Sequence, residues 1–170
     1  MARKFRQLNE AFDYVFEARG KKKQVERLKE VASANQTIVP VVRMGVGADV
    51  VDWGLPPGLP ETHKIEDDIP DGLGDTTITL EWRRISNFFD PNSNMKNLVS
   101  WKQEMAWLQI IEGVHWKEAE FLTHVKDRTL LSLYPKLKNI LTDLGITDYE
   151  PGKLSDVPKE NKVDFTQATV

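Results

Sequence analysis

The side chains here that could do acid–base or metal chemistry are few. Glu112 and His115 stand at Glu-x-x-His spacing, and Glu120 with His124 forms an i, i+4 pair. Carboxylate-bridged di-iron bundles need Glu-x-x-His from two helices plus a glutamate from each of two others. This chain holds one copy and three histidines in all, and Gly113 falls inside the segment that would have to present it. Both pairs therefore read as polar faces of solvated helices. Glu66, Asp67, Asp68, Asp71 and Asp75 resemble an oxygen-ligand loop. Aligned on Gly72, however, the third ligand position is Ile69 and the twelfth, where a calcium loop needs a bidentate glutamate, is Ile78. Gly45-Val-Gly47 begins a dinucleotide fingerprint that Val50 ends, and there is no Gly-Lys phosphate loop or Gly-x-Ser-x-Gly elbow. The absence of cysteine removes disulfides, thiolate nucleophiles, Cys-ligated zinc and iron–sulfur clusters, and fits a reducing compartment. The expectation is a protein without metal, cofactor or catalytic residues, hence not an enzyme.

Binding is the remaining chemistry, and charge offers one route to it. Residues 1–34 carry nine Lys and Arg against five acids, net +4, whereas residues 61–75 are net −5, within a whole-chain charge of −3. Arg3, Lys4, Arg6, Lys21, Lys22 and Lys23 are the candidate phosphate contacts for nucleic acid. Phe5, Phe12 and Phe16 read as core, so no exposed aromatics accompany them for base stacking. A solvated basic face, or pairing of the two patches within or between chains, explains the same layout.

The elements that must position these residues read as helices. Phe5, Leu8, Phe12, Val15 and Phe16 recur at helical spacing over 4–18. A second helix over 21–34 sets Val25, Leu28, Val31 and Ala32 on one side. Thr37 is placed to cap a third over 37–46, although the β-branched run Ile38–Val42 suits a strand equally. Asp75-Thr76-Thr77 precedes Ile78, Trp82, Ile85 and Phe89 at helical spacing, with a strand over 76–80 as the rival.

Residues 97–145 carry three of the five tryptophans and are expected to hold the core as three consecutive helices. In the first, Leu98, Trp101, Met105 and Leu108 form the inward stripe, widened by Trp107, Ile110 and Ile111, and that helix is expected to be central. The second runs 115–126 with Ala119, Leu122 and Val125 inward. The third runs from Pro135 to Leu144 and closes in a Schellman turn at Gly145.

Between the two helical groups, residues 47–74 are the richest in Pro and Gly and cannot hold a long helix. They also carry Trp53, Leu55, Leu59 and Ile65, more apolar surface than a free linker has. The segment reads as an extended strap over the helical body, and those four residues are the candidate protein-binding anchors. Residues 1–146 are thus expected to form one mostly α-helical domain, and 147–170 a loosely ordered polar tail. The apolar runs fall short of the ~20 residues a membrane helix needs, and no apolar h-region follows the charged first residues. A soluble protein of the cytoplasm is expected.

The motifs in their order carry a resemblance. They are Lys4-Phe-Arg-Gln-Leu-Asn-Glu-Ala, Val41-Val-Arg-Met-Gly-Val-Gly, Asp52-Trp-Gly-Leu-Pro-Pro-Gly, Thr77-Ile-Thr-Leu-Glu-Trp-Arg-Arg, Asp90-Pro-Asn-Ser-Asn, Trp107-Leu-Gln-Ile-Ile-Glu-Gly-Val-His and Tyr134-Pro-Lys-Leu. Over residues 4–145 the chain resembles an uncharacterised family of small proteins of T4-like tailed phages, including marine cyanophages. The resemblance implies a phage origin and expression in the cytoplasm of an infected host, and assigns no role to any residue. The function expected is a non-enzymatic accessory protein that binds a phage or host protein. The alternatives are a nucleic-acid-binding protein of phage replication or transcription and a virion structural component. Self-association into a homo-oligomer is compatible with each.

Overall fold

The computed structural model describes residues 4–59 and 74–152, and among them the chain is mostly helical with no strand. α1 (Leu8–Glu17) and α2 (Lys21–Ala34) form an antiparallel pair, and α3 (Ile38–Val46) follows after a three-residue break. Beyond the irregular residues 48–59 come α4 (Ile78–Ser86), α5 (Ser100–Gly113), α6 (Trp116–Lys126) and the single turn α7 (Leu130–Leu133). Two 3-10 segments, Pro135–Ile140 and Thr142–Leu144, close the helical part.

Both helix-or-strand ambiguities resolve as helix. Over 38–46 Ile38, Val41, Val42 and Val46 pack on the core from a helix whose entry is fixed by Asn35, not Thr37. Asn35 Oδ1 accepts both the Thr37 N–H (3.0 Å) and the Thr37 hydroxyl (2.6 Å), while Thr37 caps nothing. At the second site Thr77 Oγ1 accepts the Leu80 N–H and caps α4. Thr76 alone makes an extended contact, a single parallel bridge to Val114. Gly47 ends α3 at φ 87°, where Gly47 N–H donates to Met44 O and Ala48 N–H to Arg43 O. Gly145 closes the last turn in the expected Schellman pattern, with Gly145 N–H to Thr142 O and Ile146 N–H to Leu141 O.

The centre of the fold is α6, which packs against α1, α3, α5 and α7. Its Ala119, Phe121, Leu122 and Val125 are fully buried, and Phe121 meets Phe12 of α1 with ring centroids 5.0 Å apart. This corrects the expectation that 97–112 supplies the central helix. The charged residues of α6 suggest a surface element, yet Glu118 and Lys126 are buried with it because each finds polar partners inside.

α5 buries the residues expected to widen its inward face and leaves most of the expected main stripe exposed. Trp107, Ile110 and Ile111 are buried, whereas Leu98, Trp101 and Met105 stand 41%, 63% and 51% exposed. The helix has two apolar stripes, and the one chosen is the one that meets an aromatic cluster built from other segments. Trp107 lies 5.7 Å from the Trp53 ring and 5.1 Å from Phe88, and Phe89 completes the group 4.8 Å from Trp53.

The third expected helix is not one α-helix. Tyr134, Leu137 and Ile140 stand three apart, and the 3-10 repeat of three residues per turn eclipses them toward the core. The described part of the expected tail lies on the body: Glu150 N–H donates to Gly47 O and Gly152 N–H to Arg128 O. The rest of that tail, and Ile65 with most of the acidic loop, lie outside the described residues.

Candidate functional site

The three expected docking anchors among the described residues do not stand out on a surface. Trp53 is 5% exposed, wedged between the rings of Phe89 and Trp107. Its ring belongs to the core, so the role of projecting anchor is corrected for this residue. Leu55 and Leu59 are half-buried against the same core. Ile65 lies outside the described residues.

Polar contacts fix the chain around Trp53. Lys96 Nζ donates to Asp52 O (2.7 Å), and buried Lys126 Nζ donates to Pro56 O (2.8 Å) and pairs with Asp127 at 2.6 Å. The other Asp127 oxygen accepts the Gly58 N–H (2.9 Å). Burial pulls the Lys126 ammonium below its ordinary range, and the adjoining carboxylate opposes that shift.

The candidate nucleic-acid residues fall into two groups at opposite ends of α1. Lys4 is exposed, and Arg6 donates to Gly74 O (2.7 Å) near the start of that helix. Lys21, Lys22 and Lys23 are exposed in the first turn of α2, beyond the other end. Ten residues of α-helix separate the groups, a span of about 15 Å, so they do not form one compact patch. Arg3 lies outside the described residues.

The acid–histidine pairs do not converge. Glu112 is exposed, while His115 is buried and its Nδ1 accepts the Lys117 N–H at the start of α6. His124 Nδ1 meets Thr129 Oγ1 at 2.8 Å. Among the described residues no three of His, Asp and Glu are grouped as a metal would require.

The buried carboxylate of Glu118 is a feature that sequence reasoning missed. Its Oε2 accepts the Leu8 N–H (2.9 Å) and its Oε1 accepts the Ile78 N–H (3.1 Å), so one side chain on α6 closes the first turns of both α1 and α4. Burial pushes its pKa up to about 7, against the lowering influence of those two N–H groups; Glu10 adds to the rise and Arg6 opposes it. Neither partner lies near it in sequence, so no local motif signals the contact. The geometry satisfies helix ends and offers no open site to a substrate.

What the surface does offer is the outer face of α5. Trp101, Met105 and Leu108 follow one another at 4 and 3 residues along it, the first two exposed and Leu108 half-buried, and exposed Leu98 and Val99 lie in the extended residues just before the helix. Lys102 flanks the stripe on one side, its Nζ 5.6 Å from the Trp101 ring centroid, and exposed Glu104 flanks it on the other. A polar shelf borders the N-terminal end, where Asn87, Asp90, Asn92, Ser93 and Asn94 share a shallow cavity of about 480 Å³ with Leu98. The sequence displays this stripe clearly. It does not say that the stripe faces outward. Among the described residues no helix is long and apolar enough to cross a membrane. No protein-family model, no curated protein and no solved structure matches this chain.

Proposed function

We propose that this chain is a non-enzymatic phage accessory protein that works in the infected host by binding a phage or host protein, and that its docking face is the outer side of α5. One observation carries the reading. Trp101 and Met105 on α5, with Leu98 and Val99 in the extended residues just before it, are large apolar side chains left exposed together, while Trp107, Ile110 and Ile111 on the opposite face are buried. A contiguous apolar patch with a polar border is characteristic of interaction surfaces. Trp and Met are also enriched at such interfaces. The described part of the Pro/Gly-rich segment, residues 47–59, then serves as a strap held by Trp53, Lys126 and Asp127, and not as the docking surface.

The test compares tagged wild-type protein with Trp101→Ala/Met105→Ala in affinity capture from nuclease-treated lysate of infected host. A protein retained by the wild type and lost from a normally folded double variant supports the reading. Identical captured sets from the two proteins would remove it.

The nucleic-acid reading keeps one favourable observation. α2 opens without a side-chain cap or an acid in its first turn, and Lys21 lines a shallow, net-cationic cleft of about 530 Å³ together with Arg19, Lys136 and Glu17. A polyanion would offset the unfavourable placement of three lysines at a helix N-terminus. Salt-dependent DNA or RNA binding that is lost in Lys21→Glu/Lys22→Glu, with Trp101→Ala/Met105→Ala unaffected, would favour this second reading.

A further inference from the structure

Resting on the α5 docking face, we infer the chemistry of its occupant: an amphipathic helix of a different protein, with an apolar stripe at 3–4 spacing, an acidic residue on one flank and a basic residue on the other. The spacing argues for a helix. On α5 Trp101, Met105 and Leu108 stand at i, i+4 and i+7, the spacing of seam positions in a two-helix packing, and such a seam interdigitates best with another of the same period.

The flanks argue for the charges and against a second copy. Beside the seam, Lys102 is the exposed cation on one side and Glu104 the exposed anion on the other, and neither enters an ion pair among the described residues. In an antiparallel pairing of two copies about Met105, Trp101 meets Leu108. The same flank of each copy then faces the other, which brings Glu104 against Glu104 and Lys102 against Gln109. In a parallel in-register pairing Glu104 faces Gln109 and Lys102 lies beyond the start of the facing α5, so no ion pair forms. Self-association wastes or opposes both charges, whereas a foreign helix with one acidic and one basic flank satisfies both. Like charges opposed across a seam are an effective means of rejecting a wrong partner.

The test uses the full chain and three labelled synthetic helices with the same leucine stripe. One has an acidic and a basic flank, one has two acidic flanks and one has two basic flanks, and binding is read by fluorescence anisotropy. Wild type is expected to prefer the mixed peptide roughly fivefold over either uniform one, the scale that two surface ion pairs supply. Lys102→Glu leaves acid on both flanks and is expected to move the preference to the basic peptide; Glu104→Lys is expected to move it to the acidic one. Trp101→Ala/Met105→Ala is expected to lose all three while its circular dichroism stays unchanged.

The inference is overturned if no peptide binds saturably, if the charge variants leave the preference where it was, or if sedimentation shows a wild-type dimer that the double variant dissolves. Failure here separates from failure of the docking reading. If capture from lysate still depends on Trp101 and Met105 while the peptides fail, the face is a docking site for something other than such a helix. If capture fails too, the docking reading falls with it.

Discussion

Glu118 ties the stability of this fold to pH with a sign opposite to that of most carboxylates in ion pairs. Its oxygens accept the first N–H groups of α1 and α4, contacts that favour the ionised form, but burial outweighs them and pushes the pKa up to about 7 from the ordinary 4.5. Below pH 4.5 the group is protonated in both folded and unfolded chains and contributes nothing to the pH dependence. Between 4.5 and 7 the unfolded chain has released a proton that the folded chain keeps, so the group's contribution to stability falls as pH rises. Above 7 both are ionised and the loss is complete, about 3 kcal/mol at ~1.4 kcal/mol per pKa unit.

Glu118→Gln removes the titration and one acceptor. Its single oxygen can serve Leu8 or Ile78, and its amide nitrogen leaves the other helix N–H without a partner, a cost of about 1–3 kcal/mol. Urea unfolding of both proteins, followed by tryptophan fluorescence from pH 5 to 8.5, tests this. At pH 5 the variant is expected to be the less stable protein. The wild type then loses stability relative to the variant as pH rises, so the gap closes or inverts by pH 8.5. Parallel curves across that range would refute the reasoning, because they would mean that Glu118 titrates alike in the folded and unfolded chains.

Trp53→Ala opens a cavity between Phe89 and Trp107 and is expected to cost about 3–5 kcal/mol in urea unfolding. A small loss would mean that the segment around Trp53 is only loosely attached to the helical body. Lys126→Ala leaves Asp127 as an uncompensated buried charge and Pro56 O without its donor, so a loss of about 3–5 kcal/mol is expected. Lys126→Met, which keeps the packing, is expected to do no better while Asp127 stays in place. Gly47 and Gly145 share a positive φ but not an environment. A Cβ at Gly47 would stand 2.0 Å from Glu150 O, whereas one at Gly145 meets nothing within 4 Å. Thermal unfolding is therefore expected to show Gly145→Ala costing about 1 kcal/mol and Gly47→Ala clearly more. Equal losses would mean that the Glu150 contact is absent in solution.

The sequence by itself determined the local structure where one physical signal dominated. α2 spans the expected 21–34, because its buried Leu28 and Val31 oppose a charged face without ambiguity. The Gly145 closure and the Thr77 cap followed from residues that interact only with neighbours three to five positions away. The tertiary structure decided what depends on distant partners. α5 carries two apolar stripes, and nothing within it reveals that Trp53, Phe88 and Phe89 will cover the Trp107 side and leave Trp101 and Met105 to solvent. α6 reads as a half-exposed helix until Leu8, Ile78, Pro56 and Asp127 supply the polar partners that let Glu118 and Lys126 be buried. Helix periodicity and capping are set by groups within one turn. Which face is buried, and whether a charge can follow it inside, is set by partners up to 110 residues away.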